Sequence, residues 1–208
     1  MKNFITLTAL FFSSHFTSVI NAADVGSPAD MSDRYCTTCH GAEGVGNIAV
    51  QAPRLAGMEG WYLQRQLENF REGIRGTHTD DLQGIAMQAM AAKLTEASIA
   101  DIVSWIGAWE FVATDVTIEG NVNRGRTAYQ ICASCHGANA EGNEAIGAPA
   151  LAGQNDWYLL TQINNFRAGI RGTHQDDFFG VQMQTMSATL RDDQAITNVV
   201  SYINTLQK

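Results

Sequence analysis

Cys132-Ala133-Ser134-Cys135-His136 has a counterpart 96 residues earlier, Cys36-Thr37-Thr38-Cys39-His40. Cys-x-x-Cys-His is the attachment signature of a c-type haem. On one helical turn, residues i and i+3 project from the same side, so both thiols can bond one macrocycle. The histidine that follows offers an imidazole nitrogen to the iron. A redox disulfide needs only the two cysteines, with no reason for histidine to follow both times. Cys36, Cys39, Cys132 and Cys135 are therefore read as covalent anchors for two haem c groups, and His40 and His136 as iron ligands. All four cysteines are spent in this way, leaving none for disulfides or thiolate catalysis.

The 96-residue offset holds well beyond the motifs. Pro53, Leu55, Ala56 and Gly57 fall on Pro149, Leu151, Ala152 and Gly153, and 19 of the 30 residues from Trp61 to Met90 are identical to Trp157–Met186. The chain is a duplication of one domain of roughly ninety residues. We expect a first domain over residues 24–111, a polar linker over 112–122 and a second domain over 123–208.

Periodicity within each copy is helical. Leu63, Leu67, Phe70 and Ile74 recur at three- and four-residue steps, as do Leu159, Ile163, Phe166 and Ile170. Gly73 and Gly169 are placed to stop those helices. Ile99, Ile102, Val103 and Ile106 form a stripe behind a candidate N-cap, Thr95. Ile196, Val199, Val200, Ile203 and Leu206 repeat it behind Asp192 and Asp193. A further helix is expected before each haem motif, around Asp30 to His40 and Arg124 to His136. The fold class is all-α, and a thin core makes the haem much of each domain's apolar centre.

Residues 1–23 stand apart. Lys2 is a short basic start, Phe4 to Ile20 is mostly apolar, and Asn21-Ala22-Ala23 supplies small residues for cleavage. This reads as a cleaved export signal. A retained anchor is the alternative, but the serines and His15 make it weakly apolar for a span. No later segment approaches transmembrane length, so an integral membrane protein is not expected, although peripheral association stays open. The formal charge is −8, and loss of Lys2 makes the mature chain more acidic. Nucleic acid is excluded as a partner, because phosphate contacts need clustered Lys and Arg.

The remaining question is the sixth iron position. Iron held by His alone is open to small ligands, whereas His/Met ligation closes it and raises its potential. Candidate methionines come in repeated pairs, Met87 with Met90 and Met183 with Met186. His78 and His174, in the repeated Gly-Ile-Arg-Gly-Thr-His-x-Asp-Asp, are competitors, though such a stretch is more often a solvated loop. Arg75 and Arg171 in the same stretch are either partners for haem propionates or surface arginines. Trp61-Tyr62 and Trp157-Tyr158 read as packing bodies near the haem or the domain interface. Pro53 and Pro149 are either loop bends or lie beside a backbone carbonyl that accepts the histidine N–H and fixes its tautomer.

With these features, the chain resembles dihaem cytochromes c of the cytochrome c4 type, two tandem class I cytochrome c domains. The matching features are the two Cys-x-x-Cys-His-Gly units, Pro-x-Leu-Ala-Gly followed by Trp-Tyr-Leu, and Met-x-x-Met before Leu-Thr or Leu-Arg. In that family the ligand methionine lies seven residues before the Leu that introduces the last helix. Leu94 and Leu190 hold that place, which implies Met87 and Met183 as ligands. The resemblance likewise implies that the carbonyls of Pro53 and Pro149 receive the histidine hydrogen bonds. It implies a periplasmic electron carrier, not an enzyme, working between a quinol-oxidising complex and a terminal oxidase. A cytochrome subunit of a larger dehydrogenase or flavocytochrome is the second reading. A dihaem enzyme would need an open iron, against which two intact methionine candidates argue.

Overall fold

The computed structural model describes residues 36–206. The expected export signal and the start of the helix expected from Asp30 lie outside the described residues. Among those described, regular structure is helical apart from two isolated bridges, Asn47 with Ala52 and Asn143 with Ala148. The first half holds α1 (Thr37–His40), α2 (Gly60–Arg71), α3 (Leu82–Ala91) and α4 (Glu96–Gly107). The second holds α5 (Val122–His136), α6 (Asp156–Arg167), α7 (Phe178–Ser187) and α8 (Asp193–Ile203).

Local chemistry sets these boundaries. Gly73 and Gly169 sit just past the ends of α2 and α6 with φ of +70° and +71°, a left-handed conformation that glycine adopts without steric cost. There the Ile74 and Ile170 amides reach back to the Asn69 and Asn165 carbonyls at 2.8 Å, satisfying orphan acceptors. Thr95 caps α4 in a reciprocal box with Ser98, and Asp192 caps α8 by accepting from the Ala195 amide. Asp81 and Asp177, the second acids of the repeated Asp-Asp, cap α3 and α7 through the Gly84 and Gly180 amides. That role explains why these acids recur: they start the methionine-bearing helices.

Each half has its own core. In the first, α2 packs on α3 and α4, burying Leu63, Phe70, Ile99, Ile102 and Ile106. In the second, α6 packs on α7 and α8, and α5 crosses α8 over Tyr129, Ile196, Val199, Val200 and Ile203. The crossing is tight at Gly125, where a Cβ would lie 1.9 Å from the Asn198 carbonyl oxygen. The segment between the halves is anchored at its far end. The Thr117 and Ile118 amides donate to Asp156 Oδ2 at 2.6 and 2.8 Å, and Thr117 Oγ1 donates to Oδ1 at 2.7 Å. The run expected as a linker is therefore strapped to the second half from Thr117 onward.

Candidate haem sites and the interface between them

The chain after each Cys-x-x-Cys-His closes a small loop. Residues 47 and 52 exchange backbone hydrogen bonds, as do 143 and 148, and this returns the next proline to the histidine. His40 Nδ1 lies 2.7 Å from the Pro53 carbonyl oxygen, and His136 Nδ1 lies 2.7 Å from that of Pro149. A carbonyl can only accept, so Nδ1 carries the proton and Nε2 keeps its lone pair for a metal. Burial holds both imidazoles below the ordinary histidine range, outweighing the carbonyl bonds that favour the proton. Both rings are thus neutral and held in a fixed orientation, with Nε2 able to ligate a metal.

None of the four cysteines is in a disulfide. Burial pushes the Cys36 thiol up and the Cys132 thiol to about 11, unlike a reactive thiolate. In the second half one cavity gathers Cys132, Cys135, His136, Met183 and Met186, with Tyr62 and Arg65 of the first half in its wall. In the first half, Met87 packs against the core while Met90 is 43% exposed. The competing histidines are turned outward. His78 and His174 accept from the Asp80 and Asp176 amides at 3.2 Å in exposed loops.

Arg75 and Arg171 meet across the domain interface, both buried. Arg75 donates to Gln66 Oε1 at 2.7 Å, Gln162 Oε1 at 3.0 Å and Tyr158 OH at 3.2 Å. Arg171 donates to Gln162 Oε1 at 2.7 Å, Gln66 Oε1 at 2.9 Å and Tyr62 OH at 3.3 Å. Two cations thus share neutral acceptors, and the Nε of each has no hydrogen-bond partner. Buried charge of this kind calls for anions, and the carboxylates of a haem fit that demand. The donor set of two thiols, one oriented imidazole and a thioether fits covalent haem in each half.

Residues 29–109 and 122–207 each match the family described as Cytochrome c. The chain belongs to the cytochrome c family. It is 36% identical to the "Thiosulfate dehydrogenase electron acceptor" of Stutzerimonas stutzeri, over 88% of this chain and 82% of that protein. It is 26% identical to "Cytochrome c4" of Azotobacter vinelandii, over 96% and 98% of the two chains. The crystal structure of reduced recombinant cytochrome c4 from Pseudomonas stutzeri superposes with a TM-score of 0.67 at 24% identity, covering 88% of this chain and 100% of that one. The fold is that of a dihaem cytochrome c of the c4 type, with two tandem domains, two covalently bound haem c groups and an electron-carrying role. No helix among the described residues is long and apolar enough to cross a membrane.

Several residues of this cytochrome's interface carried no functional reading in the sequence. Gln66 and Gln162 hold the arginine pair, and their identity across the repeat was the available signal. Arg54 is almost fully buried. It donates through Nη1 to the Gly153 carbonyl at 2.7 Å and lies 4.3 Å from the Phe111 ring centroid. Its repeat partner is Ala150, so no repetition marked it. Arg65 reaches the Gly147 carbonyl at 2.7 Å and stacks 4.3 Å over Phe179. Its partner, Thr161, could make neither contact.

Proposed function

We propose that this cytochrome holds each haem iron between a histidine and a methionine, and that it carries electrons from a thiosulfate-oxidising dehydrogenase towards a terminal oxidase in the periplasm. The ligands are His40 with Met87 in the first domain and His136 with Met183 in the second. Cys36, Cys39, Cys132 and Cys135 anchor the rings, and Arg75 and Arg171 pair with propionates at the interface. The bound haem supplies a one-electron iron couple. The protein's part is to close the iron to reactants, orient the imidazoles through Pro53 and Pro149, and keep the ring in an apolar pocket.

The observation that carries the ligand set is the matched pair of 2.7 Å histidine–carbonyl bonds, with Met87 facing the core while Met90 faces out. The donor rests on the 36%-identical relative, whose name states that role. A quinol-oxidising complex is the competing donor, favoured by the cytochrome c4 relative that aligns over nearly its whole length.

Reductive titration of Met87→Ala and Met183→Ala tests the ligands. Each is expected to abolish one near-infrared sulfur-to-iron band and to lower one potential by a sizeable fraction of the roughly 0.8 V span that axial ligands command. Met90→Ala and Met186→Ala are expected to leave both bands. Retention of both bands in the first two variants would move the assignment to the other member of each pair. Stopped-flow reduction by a thiosulfate dehydrogenase and thiosulfate, set against reduction by a quinol-oxidising complex, tests the donor. Faster reduction by the latter would overturn the proposal.

A further inference from the structure

The peptide unit that orients each histidine also bonds across the domain interface, and it does so differently on the two sides. Pro149 O accepts from His136, and the amide of that same peptide, Ala150 N–H, donates to Glu59 Oε1 of the first domain at 2.9 Å. On the other side Pro53 O accepts from His40, and Arg54 N–H donates to Asn155 Oδ1 of the second domain at 2.7 Å. Glu59 and Asn155 occupy the same position of the repeat. Each precedes the first turn of a helix, α2 and α6, yet neither side chain caps its own helix. Both are diverted to the opposite domain. The approach is close enough that a Cβ on Gly46 would lie 2.4 Å from Asn155 Oδ1.

The two acceptors differ by a full charge. We propose that the Glu59 carboxylate sets the redox potential of the haem in the second domain, acting through the Pro149–Ala150 peptide, while Asn155 leaves the first without that bias. A carboxylate pulling on a peptide N–H shifts electron density towards the carbonyl oxygen, because hydrogen bonds in a chain polarise one another. Pro149 O then draws harder on the His136 Nδ1 proton. A more electron-rich imidazole favours the oxidised iron, so the potential falls. Asn155 offers only an amide dipole to the first relay. Arg54, in the same peptide as the Pro53 carbonyl, adds a buried cation that faces no carboxylate among the described residues.

This inference rests on His40 and His136 being the iron ligands. The test is redox titration of the intact dihaem protein, each haem followed through its own paramagnetically shifted NMR signals. Glu59→Gln keeps an oxygen acceptor and removes the charge. At fixed poise it is expected to raise the ferrous-to-ferric ratio of the second haem by about threefold, roughly 28 mV for a one-electron couple, leaving the first haem in place. The His136 Nδ1–H resonance is expected to shift with it. Asn155→Asp is expected to lower the first haem's potential and spare the second. Equal movement of both haems in either variant, or movement of neither, would overturn the relay. The spectrum of axial histidine and methionine is read in every variant. Its retention alongside unmoved potentials sinks the relay alone, whereas imidazole ligation by another histidine in the unsubstituted protein sinks the ligand assignment.

Discussion

Helix α2 begins behind Glu59 with Gly60, whereas helix α6 begins behind Asn155 with Asp156. The two copies agree again at once in Trp-Tyr-Leu, then in Asn-Phe-Arg, the Gly-Ile-Arg-Gly-Thr-His segments and Met87 with Met183. The contrast separates two kinds of demand. Whatever wraps the haem recurs in both halves, because both halves bind the same group. Residues flanking the contact between the halves diverge, because two halves that are no longer identical need only complement each other, not match. Arg54 with Ala150, Glu59 with Asn155 and Arg65 with Thr161 all belong to this second kind, whereas Gly60 with Asp156 diverges because only the second half receives the strap at Thr117. The central arginine pair is the exception, since a side chain on a pseudo-twofold axis serves both halves with the same residue.

The strongest way to test this division is to remove a residue that only one half possesses. Asp156 is 1% exposed and accepts from the Thr117, Ile118 and Trp157 amides, the Thr117 hydroxyl and the Asn204 amide. Asp156→Ala strands buried donors, and denaturant unfolding is expected to show a loss of roughly 3 kcal/mol. Burial pushes the Asp156 carboxyl up, but the bonds from Thr117, Ile118 and Trp157 together outweigh it and hold the group below the usual carboxylate range. A depressed folded pKa contributes stability that is full above the unfolded value, near 4, and drains away as pH falls through the folded one. The stability gap between wild type and Asp156→Asn is therefore expected to narrow on acidification below about pH 4. A gap that stays constant into strong acid would show that the carboxylate charge contributes nothing to the strap.

The next contrast tests the shared pair. Arg75→Leu and Arg171→Leu each strip donors from a tyrosine and two glutamines. Each is expected to cost about 2 kcal/mol, by nearly the same amount in both halves. Because both arginines use Gln66 and Gln162, the double variant is expected to cost less than the sum, as contacting residues do not add. Additive losses in a double-mutant cycle would mean that the two sites are independent, and the pseudo-symmetric cluster would be two separate contacts.

The parts of the molecule that were legible in the sequence are those under local or repeated constraint. Helix periodicity, Gly73 and Gly169 as stops, and Thr95 and Asp192 as caps follow from interactions within a few residues. The haem motifs were legible because covalent attachment imposes a spacing, and repetition removed the ambiguity of each alone. Arg54 and Glu59 were opaque for the opposite reason. Their partners are 99 and 91 residues away, and nothing nearby in the chain marks a residue whose meaning lies in another domain. The strap at Thr117 was hidden for the same cause: nothing in that polar, glycine-containing connecting run shows that Asp156, 39 residues on, receives its amides.

The smallest effect concerns the last helix of each domain, where the same structural task is met by different chemistry. Thr95 accepts from the Ser98 amide at 3.1 Å while Ser98 Oγ accepts from the Thr95 amide at 2.8 Å, a reciprocal box. Asp192 makes a single bond, from the Ala195 amide at 2.7 Å, and Asp193 after it pairs with Arg167. Removal of a cap side chain costs about 1 kcal/mol whichever residue supplies it, so Thr95→Ala and Asp192→Ala are expected to cost the same within error. Thr95→Ala removes only one of the two bonds, because Ser98 Oγ still reaches the residue 95 amide. Adding Ser98→Ala to it is therefore expected to cost a few tenths of a kcal/mol more, as the released amide is exposed and finds water. Asp192 has no second bond to lose, because the N3 residue of α8 is Ala195, whose side chain cannot accept from the Asp192 amide. A much larger loss in one domain than the other would show that the reciprocal box and the single acid are not equivalent stops, and that the two copies have drifted apart even where each is constrained only by itself.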